Sequence, residues 1–168
     1  MKRLEADFLA SGKAAAETEA IWSSVERSRA FAHATTVLLY MDIAGEVPTR
    51  DFMDKWRGRK RIAIPKVCGD ELVLYEYDPQ KLQVGYKGIP EPSEDAAVIA
   101  PEEIDLALVP GLAFAKTGKR MGRGKGFYDR LLPTMACPKA GIGFSFRWVE
   151  DLPSDPWDAP LTDLSGNL

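Results

Sequence analysis

Histidine occurs once in this chain, at position 33, and cysteine twice, at positions 68 and 137. Two cysteines without a CxxC or zinc-ribbon spacing exclude a metal-thiolate centre and read as reduced thiols of a cytosolic protein. His33 falls at the end of a predicted helix, far in sequence from the basic segment described below, and reads as a surface or helix-capping residue. No Ser-His-Asp or Cys-His arrangement can be built on it. Long apolar runs are absent as well. Nothing approaches the ~18 apolar residues of a membrane span, and no N-terminal stretch joins a basic start to an apolar core. A cytoplasmic protein without membrane partners is the expectation. Nor is there an excess of positive charge: the net charge is −3, which argues against general nucleic-acid binding with its broad basic footprint.

What is present fits one domain. The chain has 168 residues, 45% of them apolar and 28% charged, enough for a core and too little for two ordinary domains; residues 1–168 are read as a single unit, and a monomer is expected. The alanine- and glutamate-rich stretch Glu17–Ala32 predicts a helix with Ile21, Val25 and Ala32 loosely on one face and Trp22 beside them. Apolar β-branched runs predict strands at Thr35–Met41, Arg61–Val67, Glu71–Tyr77, Ile104–Val109 and Lys139–Phe146. Gly69-Asp70 predicts a β-hairpin turn. Thr49 is the expected N-cap of a short helix, Arg50–Trp56, that buries Phe52, Met53 and Trp56. Continuously apolar strands between helices imply a three-layer α/β/α sandwich with a largely parallel, Rossmann-like sheet. Ligands of such sheets bind outside the carboxyl ends of the strands.

The positive charge is concentrated in one place. Lys116, Lys119, Arg120, Arg123, Lys125 and Arg130 stand against one acid, Asp129, so this segment carries +5 and the rest of the chain −8. Gly122, Gly124 and Gly126 alternate with the cations. The G-x-G-x-G spacing is neither the dinucleotide fingerprint nor a Walker A loop. Glycines nevertheless let the backbone approach an oxyanion closely, and arginine and lysine neutralise phosphate charge. A compact cation cluster on an acidic protein suits a small polyanion.

The surrounding residues add a resemblance. IDLALVPGLAFAKTGKRMGRGKGFYDRLL, Ile104–Leu132, resembles the signature of the 5-formyltetrahydrofolate cyclo-ligases, or 5,10-methenyltetrahydrofolate synthetases. AGEVPT (Ala44–Thr49) and GIPEP (Gly88–Pro92) resemble two further motifs of that family, in the same order and spacing. The resemblance implies ATP- and Mg²⁺-dependent conversion of 5-formyltetrahydrofolate to 5,10-methenyltetrahydrofolate, with transfer of the γ-phosphoryl group to the formyl oxygen and ring closure by N10. It also implies the α/β/α fold.

Carried onto this chain, the resemblance assigns Arg120, Met121, Gly122, Arg123, Gly124, Lys125, Gly126 and Phe127 to the nucleotide. Arg123 and Lys125 are the catalytic cations, with the one nearer the transferring group left open. Asp129 is the expected magnesium ligand; Glu46, Tyr86 and Tyr128 are expected to contact the folate. The chain departs from the family pattern at Ala115, where aspartate is usual, at Lys87, where an aromatic residue often stands, and at Trp157, where histidine is common. These departures keep open an alternative, a catalytically weak family member that binds nucleotide or reduced folate.

Overall fold

A computed structural model of the chain describes residues 1–161. Three helices come first, α1 (Lys2–Ala10), α2 (Ala14–Arg27) and α3 (Arg29–His33), then β1 (Thr36–Leu38), α4 (Arg50–Trp56), and the hairpin β2 (Arg61–Cys68) and β3 (Glu71–Glu76). Short strands follow: β4 (Leu82–Val84), β5 (Pro90–Pro92), β6 (Val98–Ile99), β7 (Leu106–Val109), β8 (Ala113–Ala115) and β9 (Arg120–Met121). Helix α5 (Phe127–Leu131), β10 (Lys139–Gly141) and β11 (Trp148–Val149) complete the described chain.

The main sheet has six strands in the order β10-β7-β1-β2-β3-β6. The four strands from β10 to β2 are mutually parallel, and β3 and β6 run antiparallel at one edge. The tight β2–β3 turn is made where expected, with Gly69 at φ 62°, a left-handed conformation that glycine adopts without steric cost. Successive side chains of a strand point to opposite faces, and the core divides accordingly. Val37, Leu39, Leu106, Leu108, Ile62 and Ile64 pack against α2, α3 and α4, where Trp22 stacks on Phe52 with ring centres 4.2 Å apart. Leu38, Ala63, Ala107 and Val109 face the other way, against Leu131, Leu132 and Phe114. Helices cover one face, and α5 with the small sheet β11-β8-β9 covers the other. A third, two-stranded sheet pairs β4 with β5.

Several elements end earlier than their patterns suggest. The helix expected over Glu17–Ala32 breaks at Ser28, which is extended (φ −73°, ψ 148°); its hydroxyl donates to Val25 O at 2.7 Å and accepts the Phe31 N–H at 3.1 Å. A serine can offer the backbone such local bonds in place of helical ones. The last strand stops at Gly141, whose partner Val109 is the last residue of β7; Cβ atoms at Gly141 and Gly143 would lie 2.5 and 2.6 Å from the Phe114 ring. Thr49 occupies the N-cap position of α4 without capping it, since its hydroxyl is spent on Tyr40 O at 2.6 Å and its N–H on Asp42 Oδ1 at 2.9 Å. Trp56 is half-buried, not buried as expected. Helix α1 has no fully buried residue; Phe8 reaches inward, its ring 4.9 Å from Phe144 and 5.2 Å from Phe146, and Glu5 meets Arg147. Its apolar periodicity is correspondingly faint.

Candidate active site

Strands β1, β7 and β2 carry their carboxyl ends to one side of the sheet, and a cavity of about 950 Å³ opens there. The segments that follow β1 and β7, Tyr40–Glu46 and Pro110–Gly111, supply one wall. The basic loop and α5 supply the second, and Tyr86–Glu91 with Pro153–Asp158 form the rim. Glu46, Tyr86, Arg120, Met121, Gly122, Arg123, Gly124, Lys125, Gly126, Phe127, Tyr128 and Asp129, dispersed over more than eighty positions, all line this one space.

Glu46 enters the cavity from a tight turn. Its N–H donates to Ile43 O at 3.0 Å, and its Oε2 accepts the Ile43 N–H at 3.1 Å. Burial raises its carboxyl above the ordinary glutamate range, opposed by the Ile43 N–H and by Arg123 and Arg147. Arg123 Nη2 lies 3.4 Å from Glu46 Oε1, with the arginine side chain 44% exposed and the glutamate 7%. The contact is long and the arginine 44% exposed, so Arg123 is loosely held on its solvent side and can turn to another anion. Beneath Glu46, the Tyr40 hydroxyl donates to Val47 O at 2.9 Å, and burial drives that phenol well above its usual pKa.

The six cations of the basic segment have different partners. Lys116 and Lys119 turn away from the cavity to Glu150 (3.4 Å) and Asp151 (2.8 Å). Arg120 lies in the floor: its Nε donates to Pro110 O at 2.6 Å and its guanidinium stands 4.8 Å from the centre of the Tyr128 ring. Burial lowers the pKa of Arg120, against the opposing fields of Tyr128, Asp129, Glu46 and Asp158. Arg130 ties the loop to the β2–β3 turn by donating to Asp70 O and, at 3.0 Å, to Lys125 O. Lys125 lines the cavity, is exposed, and its ammonium has no partner among the described residues. The loop therefore offers one uncommitted cation and one loosely committed cation, Arg123. Gly124 and Gly126, at φ 89° and 69°, need the left-handed region that glycine supplies. Helix α5 is only five residues long, so most of its N-terminal electrostatic effect comes from first-turn N–H groups rather than an extended dipole.

Tyr128 belongs to both core and site. It packs on the cluster around Phe114 and lines the cavity, and burial raises its hydroxyl pKa, opposed by Arg120. Phe127 carries Arg130 over its ring at 5.5 Å. Tyr86, 39% exposed at the rim, is set by Glu91, whose carboxylate accepts the Tyr86 N–H at 3.4 Å. Its neighbour Lys87 has φ 53°, an uncommon conformation for a non-glycine residue. Asp129 accepts the Ala159 N–H at 3.3 Å. Among the described residues no cluster of three metal-ligating side chains occurs, so any metal bound here would take most of its ligands from water and phosphate, as magnesium commonly does.

Ala115 is fully buried beside Leu152 and does not line the cavity. Trp157 stands at the mouth, 70% exposed. His33 is exposed at the end of α3, away from the cavity. Both cysteines are free, and no described helix is long and apolar enough to cross a membrane. Sequence reasoning assigned no role to Tyr40, Glu91 or the Pro153–Asp158 segment. Tyr40 was within reach, as it lies near the carboxyl end of the predicted strand Thr35–Met41.

The architecture and the sequence both have close counterparts. The family model for the 5-formyltetrahydrofolate cyclo-ligase family matches residues 2–166. The chain is 33% identical over 137 residues to the 5-formyltetrahydrofolate cyclo-ligase of Escherichia coli (strain K12), covering 76% of this chain and 75% of that protein. It is 31% identical over 140 residues to the Haemophilus influenzae protein of the same name, covering 78% and 75%. Among solved structures, the 5,10-methenyltetrahydrofolate synthetase of Aquifex aeolicus superposes with a TM-score of 0.83 at 35% identity, covering 97% of this chain and 87% of that one. The Mycoplasma pneumoniae 5,10-methenyltetrahydrofolate synthetase superposes with a TM-score of 0.73 at 26% identity, covering 98% and 96%. With the motifs meeting in one cavity and the match running almost end to end, the chain belongs to the 5-formyltetrahydrofolate cyclo-ligase family.

Proposed function

We propose that the chain converts 5-formyltetrahydrofolate to 5,10-methenyltetrahydrofolate at the expense of ATP, releasing ADP and phosphate. The observation that carries this reading is the pairing, in one cavity, of a lysine on a glycine loop, unpartnered among the described residues, with a buried carboxylate held by a loosely bound arginine. The formamide carbonyl is a poor electrophile, and its oxygen is a poor leaving group until phosphorylated. Phosphoryl transfer asks for position and charge neutralisation more than for a side-chain nucleophile, and this cavity has cations and backbone N–H groups with no paired nucleophile and base.

In this reading Lys125 and Arg123 neutralise the triphosphate, with the open glycine backbone of residues 122–126 against its oxygens. Arg123 leaves Glu46 as the nucleotide enters, and Glu46 then accepts from the folate N–H groups. Arg120 fixes the Tyr128 ring as a flat apolar wall. Asp129 would hold a magnesium ion, which would offset the charge that develops on the transferring group. Once the formyl oxygen is phosphorylated, N10 attacks the formyl carbon and gives up its proton to solvent, the C–O bond breaks, and phosphate departs with the oxygen. Ala115 lies outside the cavity, so this departure from the family pattern removes no carboxylate from the cavity wall. The purified protein, mixed with 5-formyltetrahydrofolate and magnesium-ATP, should show an ATP-dependent rise of the near-ultraviolet methenyl absorbance. A flat trace from folded protein would instead favour a binding protein.

A further inference from the structure

Arg147 does not line the cavity, yet it is 1% exposed, the most deeply buried charge among the described residues. It sits in the single turn that precedes β11. Its Nε and Nη2 both donate to Gly45 O, at 3.1 and 2.7 Å; Nη1 donates to Leu112 O at 3.1 Å; and Nη2 meets Glu5 Oε2 of α1 at 3.3 Å. The guanidinium also lies 4.7 Å from the centre of the Phe146 ring. Taking such an ion out of water costs several kcal/mol unless it is paired and its donors are used. Core filling does not require that cost, because an apolar side chain of similar volume would serve as well. What a guanidinium adds is direction, since its donors form a rigid planar fork.

Two of those donors converge on one carbonyl, that of Gly45, the residue immediately before Glu46. Gly45 is itself shaped to admit the grip. Its φ is 84°, and a Cβ there would lie 2.1 Å from Glu5 Oε1 and 2.7 Å from Arg147 Nη2. Of the other bonds of this turn, Glu46 to Ile43 and Thr49 to Asp42 are made within it; Tyr40, just beyond β1, holds Val47 O and accepts the Thr49 hydroxyl on the far side of Glu46, which leaves the Gly45–Glu46 peptide itself to Arg147. Trp22 donates to Pro48 O at 2.8 Å and holds only its far end.

We propose that Arg147 is a positioning residue: anchored by Glu5 of the N-terminal helix and by Leu112 O, it fixes the Gly45–Glu46 peptide plane and so sets the direction in which Glu46 enters the cavity. The importance of this to catalysis rests on the reading that Glu46 contacts the folate.

The test has two arms, one independent of activity. In Arg147→Gln and in Glu5→Ala, amide hydrogen exchange across residues 43–47 of the unliganded protein should speed up on the order of tenfold, the low end for losing a hydrogen bond to a charged group. If Arg147→Gln does not fold, Glu5→Ala carries this arm alone, because Glu5 is a partly exposed partner on a peripheral helix. Unchanged exchange in the folded variants overturns the proposal. In turnover, the same variants should raise the KM for 5-formyltetrahydrofolate about tenfold while the KM for ATP changes less than about twofold. In a Glu46→Ala background the variants should add almost nothing to that KM, since a residue that acts through Glu46 is coupled to it. Independent, multiplying effects would make Arg147 a general structural residue and refute the assignment. Absence of methenyl product from the wild type would overturn the functional reading, while the exchange arm would still decide the role of Arg147.

Discussion

Lys125 and Arg120 stand five positions apart in one basic loop, yet their replacements should behave oppositely. Lys125→Met removes an ammonium that has no partner among the described residues and stays exposed. Its loss should therefore change stability by no more than about 0.5 kcal/mol, a shift of roughly 1–2 °C in Tm for a chain of this size. If that ammonium meets the triphosphate, a charge-assisted hydrogen bond of about 1.5–3 kcal/mol disappears from the bound state, and kcat/KM for ATP should fall roughly 10–150-fold. Arg120→Ala differs because Arg120 is already engaged, with a 2.6 Å bond to Pro110 O and a guanidinium 4.8 Å from the Tyr128 ring centre. Losing both, and leaving a carbonyl unpaired, should cost roughly 2–4 kcal/mol of stability along with activity. The assay is the methenyl absorbance at varied ATP, paired with thermal unfolding of the same samples. A Lys125→Met protein with wild-type turnover, or one destabilised as much as Arg120→Ala, would refute the division of the loop into a free and a structural cation.

Glu46→Gln should impair the use of 5-formyltetrahydrofolate more than the binding of ATP, with equal loss of both by calorimetry counting against a folate contact. It should also alter the pH dependence of stability. Burial raises the Glu46 carboxyl above its unfolded value, so its favourable contribution is full below the unfolded pKa and declines as pH rises through the folded one; relative to wild type, Glu46→Gln should gain Tm between about pH 4.5 and neutrality, and a parallel pH profile for the two proteins would contradict this. Gly143→Ala would place a Cβ 2.6 Å from Phe114 and should cost about 1–3 kcal/mol by overpacking, read as a lower denaturation midpoint. Asp129→Asn should raise the magnesium concentration for half-maximal turnover without altering the folate KM; an unchanged magnesium dependence would remove Asp129 from the metal site.

The boundary between what could be read from residues and what could not follows the range of the forces involved. Parallel strands, the β2–β3 turn at Gly69 and the presence of α4 come from periodicity and turn chemistry within a few residues; α4 stands in the structure with its expected bounds, while β1, β7 and β10 are shorter than their apolar runs. The alternation of glycine and cation was legible for the same reason: a left-handed backbone at Gly124 and Gly126 is a local steric demand. The long motif 104–132 sufficed to place the chain in its family. Residues 35–41 were too apolar to reveal where pairing stops, and Ser28 broke a helix that its neighbours favoured.

The partners of those cations were not legible, because most lie far away in sequence and even Pro110, ten positions from Arg120, is brought near only by the β8–β9 hairpin. Lys119 is occupied by Asp151, Arg130 by the Asp70 carbonyl, Arg120 by that of Pro110, and Glu46 is gripped through Gly45 by Arg147, about a hundred positions downstream. A count of charges in the loop treats six cations alike; distance and burial single out Lys125 and Arg123. Short-range sterics and hydrophobic periodicity therefore dictated the elements and the glycine loop from the residues alone. Which charges remain available to a ligand was settled by long-range packing, since Coulomb energy depends on separation in space and on burial rather than on separation along the chain.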